Sequence, residues 1–140
     1  MSSVIFILMT TLSSLNISTT VTSLEVNITN IKAVKGDLYI SVYNKEENFP
    51  KDKLHYKKIK LKVKQSSIKY TFKDLPKGDY AIVIFHDKNS DNEFNTNLFG
   101  MPTEGYGFSK NFKSKFSAPS FKDLKFTLKD KYTSTIKLIN

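Results

Sequence analysis

Oxygen-bearing side chains are concentrated in one stretch of this 140-residue chain, between positions 87 and 97. Alternate positions there carry Asp, Asn and Asp, which is the spacing of the first, third and fifth ligands of an EF-hand-type calcium loop. The twelfth position of such a loop carries a bidentate acid, but this chain has Leu98, so Asn95, Asn97 or the later Glu104 would have to complete the shell. The candidate ligands of this weak calcium site are Asp87, Asn89, Asp91, Glu93, Asn95 and Asn97. The alternative is an Asx-rich turn without metal, because Asn and Asp side chains also bond to nearby backbone N–H groups.

The chain has two histidines, and one of them, His86, directly precedes this oxygen-rich stretch. A small hydrolase would use His86 and Asp87 together with a nucleophile such as Ser109. No strand–turn–helix nucleophile elbow surrounds Ser109, and no other catalytic constellation is recognisable, so we predict that the protein is not an enzyme. In the alternative, structural role, the ring nitrogens of His86 hydrogen-bond the backbone of the loop that follows.

A glycine-flanked aromatic run extends from Glu104 to Ser109. Tyr106 and Phe108, if exposed on this run, would suit contact with a glycan or a peptide. The same glycines would also let both rings pack into the end of the domain. The residues of this predicted ligand or loop site are His86, Glu104, Tyr106, Phe108 and Ser109.

Composition excludes several classes of chemistry. The chain has no Cys, so it has no disulfide, thiol nucleophile, zinc–thiolate site or iron–sulfur cluster. All 22 basic residues are Lys, against 13 acids, which gives a net charge of +9. Without Arg, the chain lacks the side chain that makes the commonest specific base contact, and its lysines are spread along predicted strands. We therefore predict no nucleic-acid partner.

The first 23 residues differ from the rest, since no charged residue precedes Glu25. The apolar run from Val4 to Leu15 is too short to span a bilayer, which takes about 20 residues, but it matches the apolar region of a secretory signal peptide. We predict that residues 1–23 are a signal peptide. The mature protein would be secreted or periplasmic, with no stable membrane span once the leader is removed. A buried first strand or a retained anchor is the alternative.

Residues 24–140 alternate apolar and polar side chains in short runs that are separated by turn residues. Strands are predicted at 24–28, 38–42, 59–63, 68–72, 80–85, 124–128 and 136–138. Seven short strands favour a single all-β domain, an antiparallel β-sandwich of immunoglobulin-like or transthyretin-like type. Residues 87–120 interrupt the pattern and hold six aromatic residues, so they predict one long ordered loop.

Three motifs occur together and in order: Leu-Pro-x-Gly-x-Tyr at 75–80, His-Asp-x-Asn at 86–89 and Glu-Gly-Tyr-Gly-Phe-Ser at 104–109. Over residues 24–140 the chain resembles the bacterial exported family called domain of unknown function 2141. This resemblance implies a secreted or periplasmic β-sandwich with no established activity. Members of that family often have Gly where this chain has Asn92 and an acid where it has Asn95, which weakens the calcium interpretation.

The preferred function is an exported, noncatalytic binding or accessory module whose long loop is ordered by calcium or by its own packing. Its partner would be a cell-surface or periplasmic protein or a glycan. The alternative is a small secreted hydrolase that uses His86 and Asp87 near the long loop.

Overall fold

The alternating apolar runs form strands. The computed structural model describes residues 21–113 and 117–140, which form eight strands in two sheets. The strands are β1 (Ser23–Thr29), β2 (Asp37–Tyr43), β3 (Lys57–Lys62), β4 (Ile68–Lys73), β5 (Gly78–Asp87), β6 (Gly105–Phe108), β7 (Phe126–Leu128) and β8 (Lys131–Lys137). The helical segments of these residues are α1 (Phe121–Leu124) and two 3-10 turns, Glu46–Asn48 and Ser109–Asn111. None of these helices is long and apolar enough to cross a membrane. All but the last three residues of the predicted signal peptide lie outside the described residues.

The two sheets share one apolar core. One sheet has the strand order β4-β1-β8 and the other β3-β2-β5-β6, with β7 paired to the first residues of β5. Leu24, Val26 and Ile28 of β1 are fully buried, and they belong to the same cluster as Ile82 and Ile84 of β5. The residues between them on β1 are only half-buried, so burial follows the period-two pattern of the sequence.

The all-β prediction is confirmed, but two details of the predicted sandwich differ. The structure has eight strands rather than seven, because β6 forms inside the segment predicted to be one long loop. Two of its four residues are glycines, which carry no apolar signal, so the strand depends on its pairing with β5. The sheets are also not wholly antiparallel, since β8 pairs with β1 in parallel. A parallel pair needs a long crossover, and the intervening strands of the domain supply it.

α1 replaces the start of the strand predicted at 124–128. The hydroxyl of Ser120 accepts the N–H of Asp123, and the Asp123 carboxylate accepts the N–H of Ser120 at 2.8 Å. This capping box begins a helical turn ahead of β7. The turn packs on the outer face of the larger sheet, in a second apolar cluster formed by Tyr43, Ala81, Phe121 and Leu124.

Candidate functional site

Two buried carboxylates close the long segment between β5 and β6. Asp87, at the end of β5, has no exposed surface, and its two oxygens accept the N–H groups of Asp91 at 3.2 Å and Asn92 at 2.9 Å. Glu104, directly before β6, is 4% exposed and accepts the N–H groups of Lys88 at 2.8 Å and Asn95 at 3.2 Å. Such charge-assisted bonds fix a loop more firmly than neutral ones. We call Asp87, Glu104 and residues 88–95 the loop base.

Asp91 organises the middle of the loop base from the solvent side. Its Oδ1 accepts the Glu93 N–H at 2.9 Å, and its Oδ2 accepts the side-chain amides of Asn89 at 2.7 Å and Asn95 at 3.1 Å. The Glu93 backbone N–H contributes most to holding the pKa of the Asp91 carboxyl below its ordinary value. Asn92 has a φ of +67°, a left-handed conformation that Asn tolerates.

A charged cluster joins the loop base to the sheet. Asp37, which pairs with Asp87 across β2 and β5, is buried and lies 2.8 Å from the ammonium group of Lys62 and 3.4 Å from that of Lys60. The Lys62 ammonium is the main cause of the lowered pKa of the Asp37 carboxyl. Lys60 also donates to the side-chain oxygen of Asn92 at 2.9 Å. The loop base is thus tied to β2 and β3 as well as to β5 and β6.

The predicted calcium ligands from Asp87 to Asn95 lie close together, and of their side-chain oxygens the buried Oδ1 of Asn95 has no hydrogen-bond partner among the described residues. Every carboxylate oxygen of Asp87, Asp91 and Glu104 accepts at least one N–H group. Among residues 21–113 and 117–140, no group of three or more His, Cys, Asp or Glu side chains is arranged to hold a metal ion. Asn97 bonds within the turn that follows and not with the loop base. These contacts favour the metal-free Asx alternative, and the calcium site stays a prediction.

The hydrolase residues are buried and separated. His86 has no exposed surface, and its Nε2 lies 2.9 Å from the carbonyl oxygen of Lys35, in the turn before β2. The partner of the ring is therefore this turn and not the long loop, because the side chain of His86 points to the opposite face of β5 from Asp87. Ser109 is also fully buried, where it accepts the Ile82 N–H at 3.1 Å and donates to the Leu124 carbonyl at 2.8 Å. Ser109 contacts β5 four residues away from His86, about 13 Å along the strand.

An apolar groove lies on the outer face of the larger sheet, where Tyr106 and Phe108 of β6 flank Phe85 of β5. Phe94, from the loop base, packs edge-on against Phe85 and Tyr106, with ring centroids 5.3 and 6.3 Å away. Tyr106 and Phe108 lie 5.7 Å apart. The groove holds about 350 Å³. We call it the outer groove, and its lining residues are Tyr43, Phe49, Pro50, Asp52, Val83, Ile84, Phe85, Phe94, Tyr106, Phe108, Ala118 and Pro119.

The sequence identifies part of this groove and misses the rest. Tyr106 and Phe108 are predicted ligand residues and both line it. Phe85, Phe94 and Phe49 are not among the predicted site residues. One signal could have indicated these residues, because β5 carries apolar side chains on its outer face too. This pattern indicates that the outer face is covered, but it does not show that a groove lies there.

A second cavity of about 560 Å³ lies beyond β6, beside the end of the chain. Its asparagines are engaged in holding strands: Asn30 donates to the Leu138 carbonyl, and Asn111 bridges Thr135 and Lys137 of β8. These polar groups stabilise the edge of the smaller sheet. The outer groove is therefore the better candidate for ligand binding.

Comparison with known proteins identifies a family for this chain. No curated protein and no solved structure matches this chain significantly. The profile of a bacterial family described as "Uncharacterized protein conserved in bacteria (DUF2141)" matches residues 26–136. That range covers six of the eight strands completely, β2 to β7, together with β1 from Val26 onward and β8 up to Ile136. The chain therefore belongs to this bacterial family, domain of unknown function 2141.

Proposed function

We propose that this protein is an exported, noncatalytic binding module, of immunoglobulin-like or transthyretin-like type, that holds an apolar segment of a protein partner in the outer groove. The observation that carries the proposal is the aromatic wall of that groove. Tyr106, Phe108 and Phe85 are only partly buried, and Phe94 is half exposed. Large rings that remain accessible on a rigid sheet are typical of recognition surfaces.

The chemistry of the groove favours a peptide over a glycan. Its volume of about 350 Å³ is at the lower end of the usual range of ligand sites. Asp52 is the one charged side chain among its lining residues. A sugar ring needs several converging hydrogen-bond groups, whereas aliphatic or proline side chains need an aromatic trough. A protein segment with such side chains is therefore the proposed ligand.

The noncatalytic part of the proposal is supported by where the reactive side chains lie. His86, Asp87 and Ser109 are fully buried, and none of them lines the outer groove. Asp87 and Ser109 are each held by two hydrogen bonds to the backbone. A general base or nucleophile must reach its substrate, so these contacts favour structural roles. No contact of these residues favours the hydrolase alternative.

The uncharged, apolar start of the chain supports the proposal that the protein is exported. The contacts of Thr22 and Ser23 favour a leader slightly shorter than the predicted residues 1–23. The hydroxyl of Thr22 donates to the Leu75 carbonyl, and the N–H of Ser23 donates to the Asp130 carbonyl at 2.8 Å. Both residues therefore belong to the folded domain. Cleavage before Thr22 would retain these contacts, which intact-mass measurement of the exported protein would test.

Selection of peptides on the protein tests the groove. A phage-displayed peptide library is selected on the wild-type chain and counter-selected on a Phe94→Ala/Tyr106→Ala variant. We expect enriched peptides with aliphatic or proline side chains, whose affinity falls about tenfold or more in the variant. Tyr56→Ala, which removes an exposed ring outside the groove, is the matched control and should leave binding unchanged. Enrichment that does not depend on Phe94 and Tyr106 would contradict the proposal. Binding of a glycan array that does depend on them would support a glycan ligand instead.

A further inference from the structure

Three large apolar side chains project into water from a single turn of the long segment. Leu98, Phe99 and Met101 are 102%, 90% and 62% exposed, although apolar side chains of this size are usually at least partly covered. No charged residue occurs from position 94 to position 103. We call residues 98–101 the loop tip.

The turn that carries the loop tip is held by its own hydrogen bonds. The side-chain oxygen of Asn97 accepts the N–H groups of Phe99 at 2.9 Å and Met101 at 3.0 Å. The backbone of Asn97 exchanges two further bonds, accepting from Gly100 at 2.9 Å and donating to Met101 at 2.8 Å. Three of the four backbone N–H groups of the loop tip, those of Phe99, Gly100 and Met101, are therefore satisfied inside the turn. Satisfied donors lower the cost of moving the tip from water toward lipid.

We propose that the loop tip inserts into the surface of an anionic lipid bilayer. Apolar and aromatic side chains anchor proteins at the boundary between headgroups and acyl chains, and nearby lysines add attraction to anionic lipids. Lys88, at the loop base, donates to the Thr103 carbonyl beside the tip, and Lys60 contacts Asn92. Two of the four acids of the segment, Asp87 and Glu104, are buried. The whole chain, with its net charge of +9, complements an anionic surface.

The size of the tip distinguishes a bilayer from a protein partner. A stable protein interface buries about 800 Å² on each partner, far more than three side chains on one turn offer. A shallow anchor in lipid needs only a few such side chains. The inference is independent of the outer groove, because none of the tip residues lines it.

A single introduced tryptophan tests insertion directly, because the chain has no Trp. The full chain with Phe99→Trp is mixed with vesicles of phosphatidylethanolamine and phosphatidylglycerol, and with vesicles of phosphatidylcholine alone. Leu54→Trp is the matched control: Leu54 is also exposed, but it follows β2, at the opposite end of the larger sheet from Asp87. We expect the Phe99→Trp emission to move to shorter wavelength and to be quenched by brominated acyl chains, more strongly with the anionic vesicles. The Leu54→Trp emission should stay unchanged.

The two tryptophan positions make every outcome decisive, even if another part of the chain also binds vesicles. Unchanged Phe99→Trp emission on sedimented, vesicle-bound protein would overturn the proposal. An equal shift of both probes would overturn it too, and a concentration-dependent shift without lipid would indicate self-association instead. In a Phe99→Trp background, Leu98→Ser and Met101→Ser should each weaken insertion about tenfold, since each removes an exposed apolar side chain that insertion would bury in lipid.

Discussion

The loop base and the loop tip lie on the same segment but have opposite relations to water. At the base, the charged side chains of Asp87 and Glu104 are buried, while at the tip Leu98 and Phe99 are almost fully exposed. Both arrangements reverse the usual distribution, in which carboxylates face water and large apolar side chains do not. A compensating interaction must therefore offset the cost of each arrangement.

Contacts within the molecule offset this cost at the loop base but not at the loop tip. Each buried carboxylate oxygen accepts a backbone N–H, so the cost of removing these charges from water is offset by the order that they give to residues 88–95. At the tip, hydrogen bonds fix the backbone but leave Leu98 and Phe99 almost completely exposed and Met101 mostly exposed. Hydrogen bonds within the folded domain thus account for the buried carboxylates of the base. The proposed insertion into lipid accounts for the exposed apolar side chains of the tip.

The largest effect should come from a matched pair of glycines. Gly36 and Gly100 have nearly the same left-handed φ, +74° and +75°, so a side chain strains both backbones equally. A Cβ at Gly36 would overlap the carbonyl oxygen of Asp87, whereas a Cβ at Gly100 would meet nothing within 4 Å. We expect Gly36→Ala to cost about 4 kcal/mol or more and Gly100→Ala about 1 kcal/mol. Urea denaturation measures both, and equal losses would show that the base is not tightly packed.

Removal of a buried carboxylate should have the next largest effect. Glu104→Ala leaves the N–H groups of Lys88 and Asn95 without their acceptor, which should cost about 2–4 kcal/mol. Glu104→Gln keeps one carbonyl oxygen and should recover about half of that loss. Phe99→Ala at the tip is the control and should stay within about 0.5 kcal/mol of the wild type. A stable Glu104→Ala variant, or an unstable Phe99→Ala variant, would reverse the roles assigned to base and tip.

Acid should weaken the charged cluster that joins the loop base to the sheet, and it should not affect the loop tip. The pKa of Asp37 is lowered from 3.8, chiefly by Lys62, so its charged form is favoured in the folded state. A lowered folded-state pKa gives stability that is present above the unfolded pKa and is lost as the pH falls through the folded value. The wild type should therefore lose stability progressively below about pH 4.

Two variants isolate this contribution of Asp37. Asp37→Asn should be less stable than the wild type at pH 7 and should lose less stability than the wild type on acidification. Phe99→Ser should follow the wild-type pH profile, since the tip carries no titratable group. Thermal melts between pH 2 and pH 7 measure the profiles, and the assignment fails if Asp37→Asn and the wild type lose the same stability.

Much of the fold is predictable from local pattern, while the base depends on long-range pairing. Val26 is recognisable as a core residue because apolar side chains alternate along its strand, and Ile82 because it lies in a continuous apolar run from Tyr80 to Phe85. Asp87 and Glu104 meet because β5 and β6 pair antiparallel, with His86 opposite Gly105 and the two acids next in register. No local pattern predicts that meeting, since it requires knowing that Gly105–Phe108 is a strand.

The groove and the glycines of β6 show the same limit. A Cβ at Gly107 would lie 2.7 Å from a methyl group of Ile136, so this glycine serves the packing of β6 against β8 and not loop flexibility. The sequence predicts that Tyr106 and Phe108 suit a contact surface. It does not predict that Phe94 packs against Tyr106, because that contact forms only when the folded loop base places Phe94 beside the sheet. The structural role of a residue is therefore predictable where its neighbours along the chain determine its burial. It is not predictable where a distant strand determines it.

Calcium should have the smallest effect, and it bears on the same comparison. A site with a dissociation constant near 10⁻⁴ M would add about 1.4 kcal/mol at about 1 mM calcium, and would raise the melting temperature by a few degrees. The oxygens of Asp87 and Asp91 already accept N–H groups, so calcium would have to share or displace those bonds. We therefore expect the melting temperature in 1 mM calcium to lie within about 1 °C of that in chelator. Asp91→Asn, which removes one charge and keeps the size of the side chain, is the matched variant. A rise of several degrees in the wild type that is absent in Asp91→Asn would contradict this expectation, because the loop base would then be ordered by metal as well as by its own hydrogen bonds.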